Sequence, residues 1–241
     1  MFLKKIAGKL KLSSNVEEGF STTQEYNDRF AWADSSSENV LRVMKTIQDK
    51  TWDTLTFLWG QTVRPFSMWS RQVRIPSADI DAVVHSLEGL KLLAELAKQN
   101  NSPFFLHQTG ICFFLILGSL PISVHYTSVY GVHLDKYRDV VEFDSQNTYL
   151  RLICPEMLTT LKSRRWFFKN WGMRPKDALD IWNMILASKD GKIEFDPKRQ
   201  YKYAKSMQGA MTLMDIQPYI DTRDNFTDQE KRKIRGFFYK V

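Results

Sequence analysis

The sequence predicts an α+β fold: a single compact domain with a small antiparallel sheet packed against helices, preceded by a flexible N-terminal arm. Of the 241 residues, 43% are hydrophobic and 13% are aromatic, which is enough to build a sizeable core. Helical and strand-like periodicities alternate along most of the chain, whereas residues 13–37 are polar and show no sustained period. We therefore assign 1–12 to a basic amphipathic tip, 13–37 to a flexible acidic linker and 38–241 to the globular domain.

The tip has a basic side and an apolar side. Wound as a helix at about 100° per residue, its apolar side chains fall within an arc of roughly 140°. Its lysines lie on the other side, with no acid among them. Such a segment can lie in a lipid interface, where each lysine contributes about 1 kcal/mol on an anionic surface. Packing on the chain's own core and a loose basic tail remain the alternatives. The predicted membrane-binding residues are Phe2, Leu3, Lys4, Lys5, Ile6, Lys9, Leu10 and Lys11.

The first elements of the body follow the linker. A Ser-x-x-Glu pattern at Ser35–Glu38 predicts a helix start, and an apolar stripe continues from Val40 to Ile47. Residues 52–59 and 62–75 are rich in aromatic and β-branched side chains, which predicts two strands.

Two helices are predicted next. One begins at Pro76–Ser77 and carries apolar residues at helical spacing from Ile80 to Ala97. The other covers 104–117. The apolar run of 103–122 is the one transmembrane candidate, but polar residues interrupt its front half, so we expect a buried core helix.

The second half of the body mixes strands and helices. Alternation over 122–134 and the segments 140–143 and 148–154 predict strands. Pro155 and Pro175 are typical of first helical turns. Residues 197–214 fit either a helix or a strand, and Thr227–Glu230 forms a capping box before a short basic helix.

The net charge of +7 favours phosphate-rich partners, either nucleic acid or anionic lipid. Cys112 and Cys154 lie in apolar runs, as buried reduced thiols do, and one disulfide is the alternative. Charges interrupt every apolar run of the first thirty residues, so no secretory signal is expected.

No catalytic motif is visible. The sequence holds no phosphate-binding glycine loop, nucleophile elbow or zinc-protease motif, and its four histidines do not fall at zinc-ligand spacings with the cysteines. We therefore expect no enzyme, catalytic residue, metal or cofactor.

A second basic segment spans 162–176, where six cations and four aromatic residues occur without an acid. Arginine and lysine pair with phosphates while aromatic rings stack on bases or lie at lipid head-group level. A basic loop whose aromatic residues enter the core is the alternative. The candidate nucleic-acid-binding or lipid-binding residues are Lys162, Arg164, Arg165, Trp166, Lys169, Trp171, Arg174 and Lys176.

Three segments resemble the rhabdovirus matrix protein family. FLKKIAGKLK (2–11) is similar to that family's lysine-rich start, and RQVRIPSADIDAVVHSL (71–87) to its strand, turn and amphipathic helix. SPFFLHQTGICFFLILGS (102–119) is similar to its following apolar helix. The arm lacks that family's Pro-Pro-x-Tyr motif, but Tyr149 and Leu152 have the form of the alternative Tyr-x-x-Leu budding motif.

The resemblance implies a structural viral matrix protein without a catalytic site. Such a protein binds the inner face of an anionic membrane, self-associates, and bridges the envelope to ribonucleoprotein during budding. Its implied partners are anionic phospholipid, viral nucleocapsid or RNA, further copies of itself, and host sorting or trafficking proteins. Its implied location is the virion beneath the envelope, the host cytoplasm and the inner face of a host membrane. An RNA-binding nucleocapsid or movement protein is one alternative, and an intracellular enzyme or host-interaction factor is another.

Overall fold

The computed structural model describes residues 36–60, 80–106, 112–127, 133–143, 148–164, 175–191, 193–207, 209–213 and 215–216. These residues combine helices with a sheet, which confirms the mixed helix-and-sheet class. They divide into two compact units, one ending at Ile153 and one beginning at Cys154. The expected single domain of 38–241 stays a prediction.

The first unit begins with helix α1 (Ser37–Thr51). Ser36 caps it by accepting a hydrogen bond from the backbone N–H of Asn39 at 3.3 Å. The predicted helix is confirmed, with its cap one residue after the expected start. Its apolar stripe is buried, and it comprises Val40, Val43, Met44 and Ile47.

Seven strands form one sheet among the described residues. Their order across the sheet is β3-β4-β5-β2-β1-β7-β6. The β2–β5 and β1–β7 pairs are parallel, and the other pairs are antiparallel. The strands are β1 (Leu55–Gly60), β2 (Ile80–Val84), β3 (Phe104–Leu106), β4 (Cys112–Leu117), β5 (Leu120–Tyr126), β6 (Arg138–Phe143) and β7 (Thr148–Ile153).

The expectation of a small antiparallel sheet was therefore wrong in size and in direction. Parallel neighbours such as β2 and β5 are joined through a long crossover, so their pairing leaves no local sequence signal. The strands predicted over 52–59, 140–143 and 148–154 are confirmed, each with shifted ends.

Two predicted helices were wrong in part or in whole. Ile80–Val84, expected in a helix, is strand β2, and helix α2 covers only Leu87–Gln99, capped by the Ser86 side chain. The described residues of 104–117 form strands β3 and β4. Periodicity alone cannot distinguish a short, wholly apolar run in a buried strand from a helix.

Strands β4 and β5 are joined by a tight turn. Gly118 and Ser119 have φ of +54° and +59°, as both central residues of a type I′ turn do. The Asn39 side chain on α1 donates a hydrogen bond to the Gly118 carbonyl at 2.8 Å, which fixes the turn against the helix. The strand predicted over 122–134 is confirmed only as far as Tyr126.

The second unit contains helices α3 (Pro155–Lys162), α4 (Pro175–Lys189) and α5 (Pro197–Ser206). Each of the two predicted first-turn prolines, Pro155 and Pro175, begins a helix, as expected. All eight residues of α3 are buried. The ambiguity of 197–214 resolves to a helix for its first ten residues.

Both cysteines are buried and are not joined in a disulfide, in line with the expectation. No helix within the described ranges is long and apolar enough to span a bilayer. The tip, most of the linker, the strand of 62–75 and the capping box at Thr227 lie outside the described residues.

Candidate functional site

The basic segment of 162–176 is described only at its two ends. Lys162 is 7% exposed, and its Nζ donates hydrogen bonds to Asp180 at 2.6 Å and to Asp177 at 3.3 Å. Two carboxylates therefore neutralise a lysine that the sequence offered as a surface cation. The prediction for Lys162 was based on the composition of 162–176. Composition does not reveal that helix α4 brings two carboxylates to this lysine.

Arg164 is also buried, and burial lowers the pKa of its guanidinium. Residues 165–174 and the side chain of Lys176 lie outside the described part of the chain. The predictions for Arg165, Trp166, Lys169, Trp171, Arg174 and Lys176 therefore stay predictions.

The Tyr-x-x-Leu motif lies in strand β7. Tyr149 is exposed, but Leu152 is fully buried and pairs with Phe57 of β1. A sorting protein that reads both side chains would need β7 to leave the sheet. In the folded unit the motif is a structural strand.

Helix α5 presents a basic surface. Lys198, Tyr201, Lys202 and Lys205 are exposed and form what we call the α5 basic face. No acidic residue occurs within the helix. The Lys205 ammonium lies 5.4 Å from the centre of the Tyr201 ring, so cation and aromatic side chains interleave on one surface.

Helix α5 is anchored at its N-terminus and along its buried side. Asp196 caps the helix by accepting from the Lys198 N–H at 2.9 Å, and the Asp196 N–H donates to the Glu156 carboxylate at 2.8 Å. Gln200 is fully buried and donates to the Met211 carbonyl at 3.1 Å. The helix is thus held by its inner side, and its cations project from a fixed support.

Arg199 lies beside this face but is engaged within the unit. Its Nε donates to the Tyr203 hydroxyl at 2.7 Å, and its guanidinium lies 3.8 Å from the Glu156 carboxylate. The hydrogen bond to Tyr203 is the main reason that the pKa of Arg199 is raised. Arg199 is therefore held in position by two partners within the unit, with 39% of its side chain exposed.

A second candidate surface occurs in the first unit, where β1 begins. The Arg151 guanidinium lies 4.1 Å from the centre of the Trp52 ring, and Trp52 is 56% exposed. The Asp53 carboxylate contacts Arg151 at 2.5 Å and Arg138 at 3.2 Å. We call these four residues the Trp52 site; it pairs an exposed indole with two guanidiniums and one carboxylate.

Sequence reasoning missed the Trp52 site. Trp52 was grouped with the strand-forming residues of 52–59, whereas it lies in a short 3₁₀ turn before the strand. Arg138 and Arg151 belong to neighbouring strands far along the chain, and only the sheet brings them to Asp53. The available signal was a large aromatic residue followed by an acid immediately before a strand, and that is a common pattern.

One histidine has a strongly shifted titration. His85 Nε2 lies 2.8 Å from the Thr56 hydroxyl, and burial is the main cause that lowers the His85 pKa to about 4. A neutral histidine next to a hydroxyl is the pairing used for nucleophilic catalysis. Here Thr56 is fully buried within β1, so a substrate cannot reach it, and the pair is structural.

No family model matches the chain, and no curated protein matches it. Among solved structures, the chain is similar to an antigenic nucleotidyltransferase-like protein from Paracoccidioides brasiliensis, at 15% identity and a TM-score of 0.45. That match covers 63% of this chain and 77% of the other. A likeness at this level carries no argument about function.

Proposed function

We propose that this chain is a structural protein of the viral matrix type, which binds the inner face of an anionic membrane, self-associates and bridges the envelope to ribonucleoprotein. The single observation that supports this most is the α5 basic face, where exposed lysines and a tyrosine project from an anchored helix that has no acid. The location that follows is beneath the envelope of a virion and, in the host, the cytoplasm and the inner face of a membrane.

The α5 basic face suits an anionic lipid surface. Each lysine close to such a surface contributes about 1 kcal/mol, and the contribution falls with salt. Its three lysines are therefore too few for stable attachment alone. The basic tip of residues 1–12 supplies a second attachment point, and two linked weak contacts reinforce each other through effective concentration.

Self-association would multiply these weak contacts further. A protomer that detaches from lipid stays held by its neighbours, so an array binds far more tightly than one chain. This reasoning supports a matrix layer rather than a monomeric membrane protein. Lipid contact and self-association are therefore two parts of one proposal.

Vesicle co-sedimentation of the full chain tests the proposal. The informative variant changes Lys198, Lys202 and Lys205 to glutamate together, because these side chains are exposed and do not support the fold. The matched control changes the exposed lysines Lys91, Lys98 and Lys136 to glutamate, which gives the same change in net charge on other surfaces.

Wild-type protein and the control should bind vesicles that contain phosphatidylserine and not purely zwitterionic vesicles. The α5 variant should bind at least tenfold more weakly. A further variant with Lys4, Lys5, Lys9 and Lys11 changed to glutamate reports the contribution of the tip. Equal losses in the α5 variant and in the control would show a nonspecific charge effect and contradict the role of the α5 basic face.

A further inference from the structure

We propose that the Trp52 site binds single-stranded RNA, with a base stacked on the Trp52 indole and the Arg151 and Arg138 guanidiniums beside the adjoining phosphate. The inference rests on the proposed function in one respect, because that function requires a contact with ribonucleoprotein. It assigns the contact to the sheet-containing unit, on a surface different from the α5 basic face.

The first support is the unfavourable conformation of Trp52. Its φ of +39° lies in the left-handed region, where a bulky side chain is a genuine outlier. Strain of this kind costs about 1–3 kcal/mol and concentrates at functional sites. Burial of the indole in the core does not offset that cost, because more than half of Trp52 is exposed.

The second support is that the cations of the site are already fixed. Arg138 donates one hydrogen bond to the Asp53 carbonyl at 3.1 Å and another to the Asp53 carboxylate at 3.2 Å. Arg151 contacts the same carboxylate oxygen while its guanidinium packs over the indole. Because ordering these long side chains costs entropy, a site in which they are held in advance binds at a lower cost.

The third support is the charge and shape of the site. Two guanidiniums and one carboxylate leave a surplus of one positive charge, and 20% of the Arg138 side chain and 16% of the Arg151 side chain are exposed beside the indole. Base stacking on aromatic side chains contributes about 1–3 kcal/mol per base and tolerates any base, and arginine adds a cation–π contribution. A single-stranded nucleotide offers both groups that this site recognises, a planar base and a phosphate.

The same geometry argues against lipid as the occupant. An indole that anchors a membrane lies among apolar neighbours at the head-group level. Here the adjacent Asp53 carboxylate is 62% exposed, and insertion of Trp52 into the interface would remove water from it. Stacking of a base leaves that carboxylate at the hydrated edge of the site.

Fluorescence anisotropy with a labelled twelve-nucleotide single-stranded RNA tests the inference on the full chain. Trp52→Leu removes the aromatic surface and no cation. We expect its Kd to rise about 5-fold to 160-fold, in line with one lost base stack. The slope of log Kd against log salt should stay unchanged, since no phosphate contact is lost. Trp52→Phe should retain part of the affinity.

Trp52→Gly separates binding from folding. Glycine adopts the left-handed backbone without strain, so the thermal midpoint of this variant should equal or exceed that of the wild type. Its RNA affinity should fall as in Trp52→Leu. A purely structural Trp52 would instead give a lower midpoint and unchanged RNA binding, and that result would overturn the inference.

Vesicle binding distinguishes failure of the inference from failure of the proposed function. The Trp52 variants should co-sediment with phosphatidylserine vesicles as the wild type does. If Trp52→Leu lost vesicle binding and kept RNA binding, Trp52 would be a membrane contact and the inference would be wrong. If no variant and no wild-type protein bound vesicles while RNA binding followed Trp52, the inference would stand and the matrix proposal would fail.

Discussion

Gln48 of helix α1 takes the place of a neighbouring strand beside Arg151 of β7. Its Oε1 accepts a hydrogen bond from the Arg151 N–H at 2.6 Å, and its Nε2 donates to the Tyr149 carbonyl at 2.7 Å. Residues two apart on a strand direct their backbone groups to the same edge. One side-chain amide therefore satisfies two backbone groups next to the short β1–β7 pairing, and it also fixes the backbone of Arg151 in the Trp52 site.

Replacing this amide should destabilise the first unit. Gln48 is 5% exposed, so Gln48→Met leaves two backbone groups without their partner, at about 1–3 kcal/mol for each. Urea denaturation should show the loss as a lower midpoint. Asp49→Asn, one residue along on the exposed side of α1, is the control and should change the free energy of unfolding by less than about 0.5 kcal/mol. Equal effects would mean that Gln48 does not complete the ladder.

The Gly118 turn gives a prediction with an internal control. Gly118 and Gly191 both have positive φ, of +54° and +70°. A Cβ at Gly118 would lie 2.7 Å from the Val43 side chain, whereas one at Gly191 would meet nothing within 4 Å. Gly191→Ala should therefore cost only the backbone strain of about 1–2 kcal/mol. Gly118→Ala should cost clearly more in thermal unfolding, and equal costs would show that α1 does not constrain the turn.

The buried Lys162 should behave as a structural residue. Lys162→Met removes the ammonium that contacts the buried Asp177 and Asp180 carboxylates, and breaking a buried ion pair in this way costs about 3–5 kcal/mol. Adding Asp177→Asn and Asp180→Asn should restore part of the lost stability, because the two buried side chains that contacted Lys162 are then neutral. The exposed Lys45→Met is the control, and it should change the unfolding midpoint little. If the Lys162→Met single variant were instead stable and bound RNA more weakly, Lys162 would be a phosphate contact.

His85 should make stability depend on pH. Its pKa is about 4 in the folded protein and 6.5 in an unfolded chain, so below pH 6.5 the unfolded state binds a proton that the native state does not. The free energy of unfolding therefore falls as the pH drops, by about 1.6 kcal/mol between pH 6.5 and 5. The charged groups that influence His85 electrostatically are Asp135, Arg138 and His133.

His85→Gln isolates this contribution, because an amide can still hydrogen-bond Thr56 but does not titrate. Urea denaturation of both proteins at pH 7 and pH 5 should show a smaller loss of stability in the variant. All other side chains are the same in the two proteins, so the difference between the two losses reports His85. Identical losses would show that His85 takes up its proton in the folded state as readily as in the unfolded chain.

Local signals in the sequence were sufficient for several elements. The helix and apolar stripe of α1, the first-turn prolines of α3 and α4, and strand β7 were predicted, with the α1 cap and the end of β7 each displaced by one residue. Each depends on contacts within a few residues, such as a serine side chain on a backbone N–H three residues away. The excess of positive charge is likewise a property of composition alone.

Other features depended on contacts between distant parts of the chain. The run 104–117 was predicted as a helix, but Phe105 and Phe114 face each other across an antiparallel strand pair, with ring centres 5.5 Å apart. An apolar residue is equally favourable in either element, and only pairing with a neighbouring strand decides between them.

The sequence by itself determined the helix caps, the apolar stripes and the basic character of this protein, because these arise from neighbours within a turn or from composition. The tertiary structure decided which cations are exposed and which are buried. Lys162 meets its carboxylates on another helix, Arg151 meets Trp52 from another strand, and Gln48 reaches a strand 101 residues away. Contacts at such separations depend on how the whole sheet and the helices pack, and no local window of the sequence contains that information.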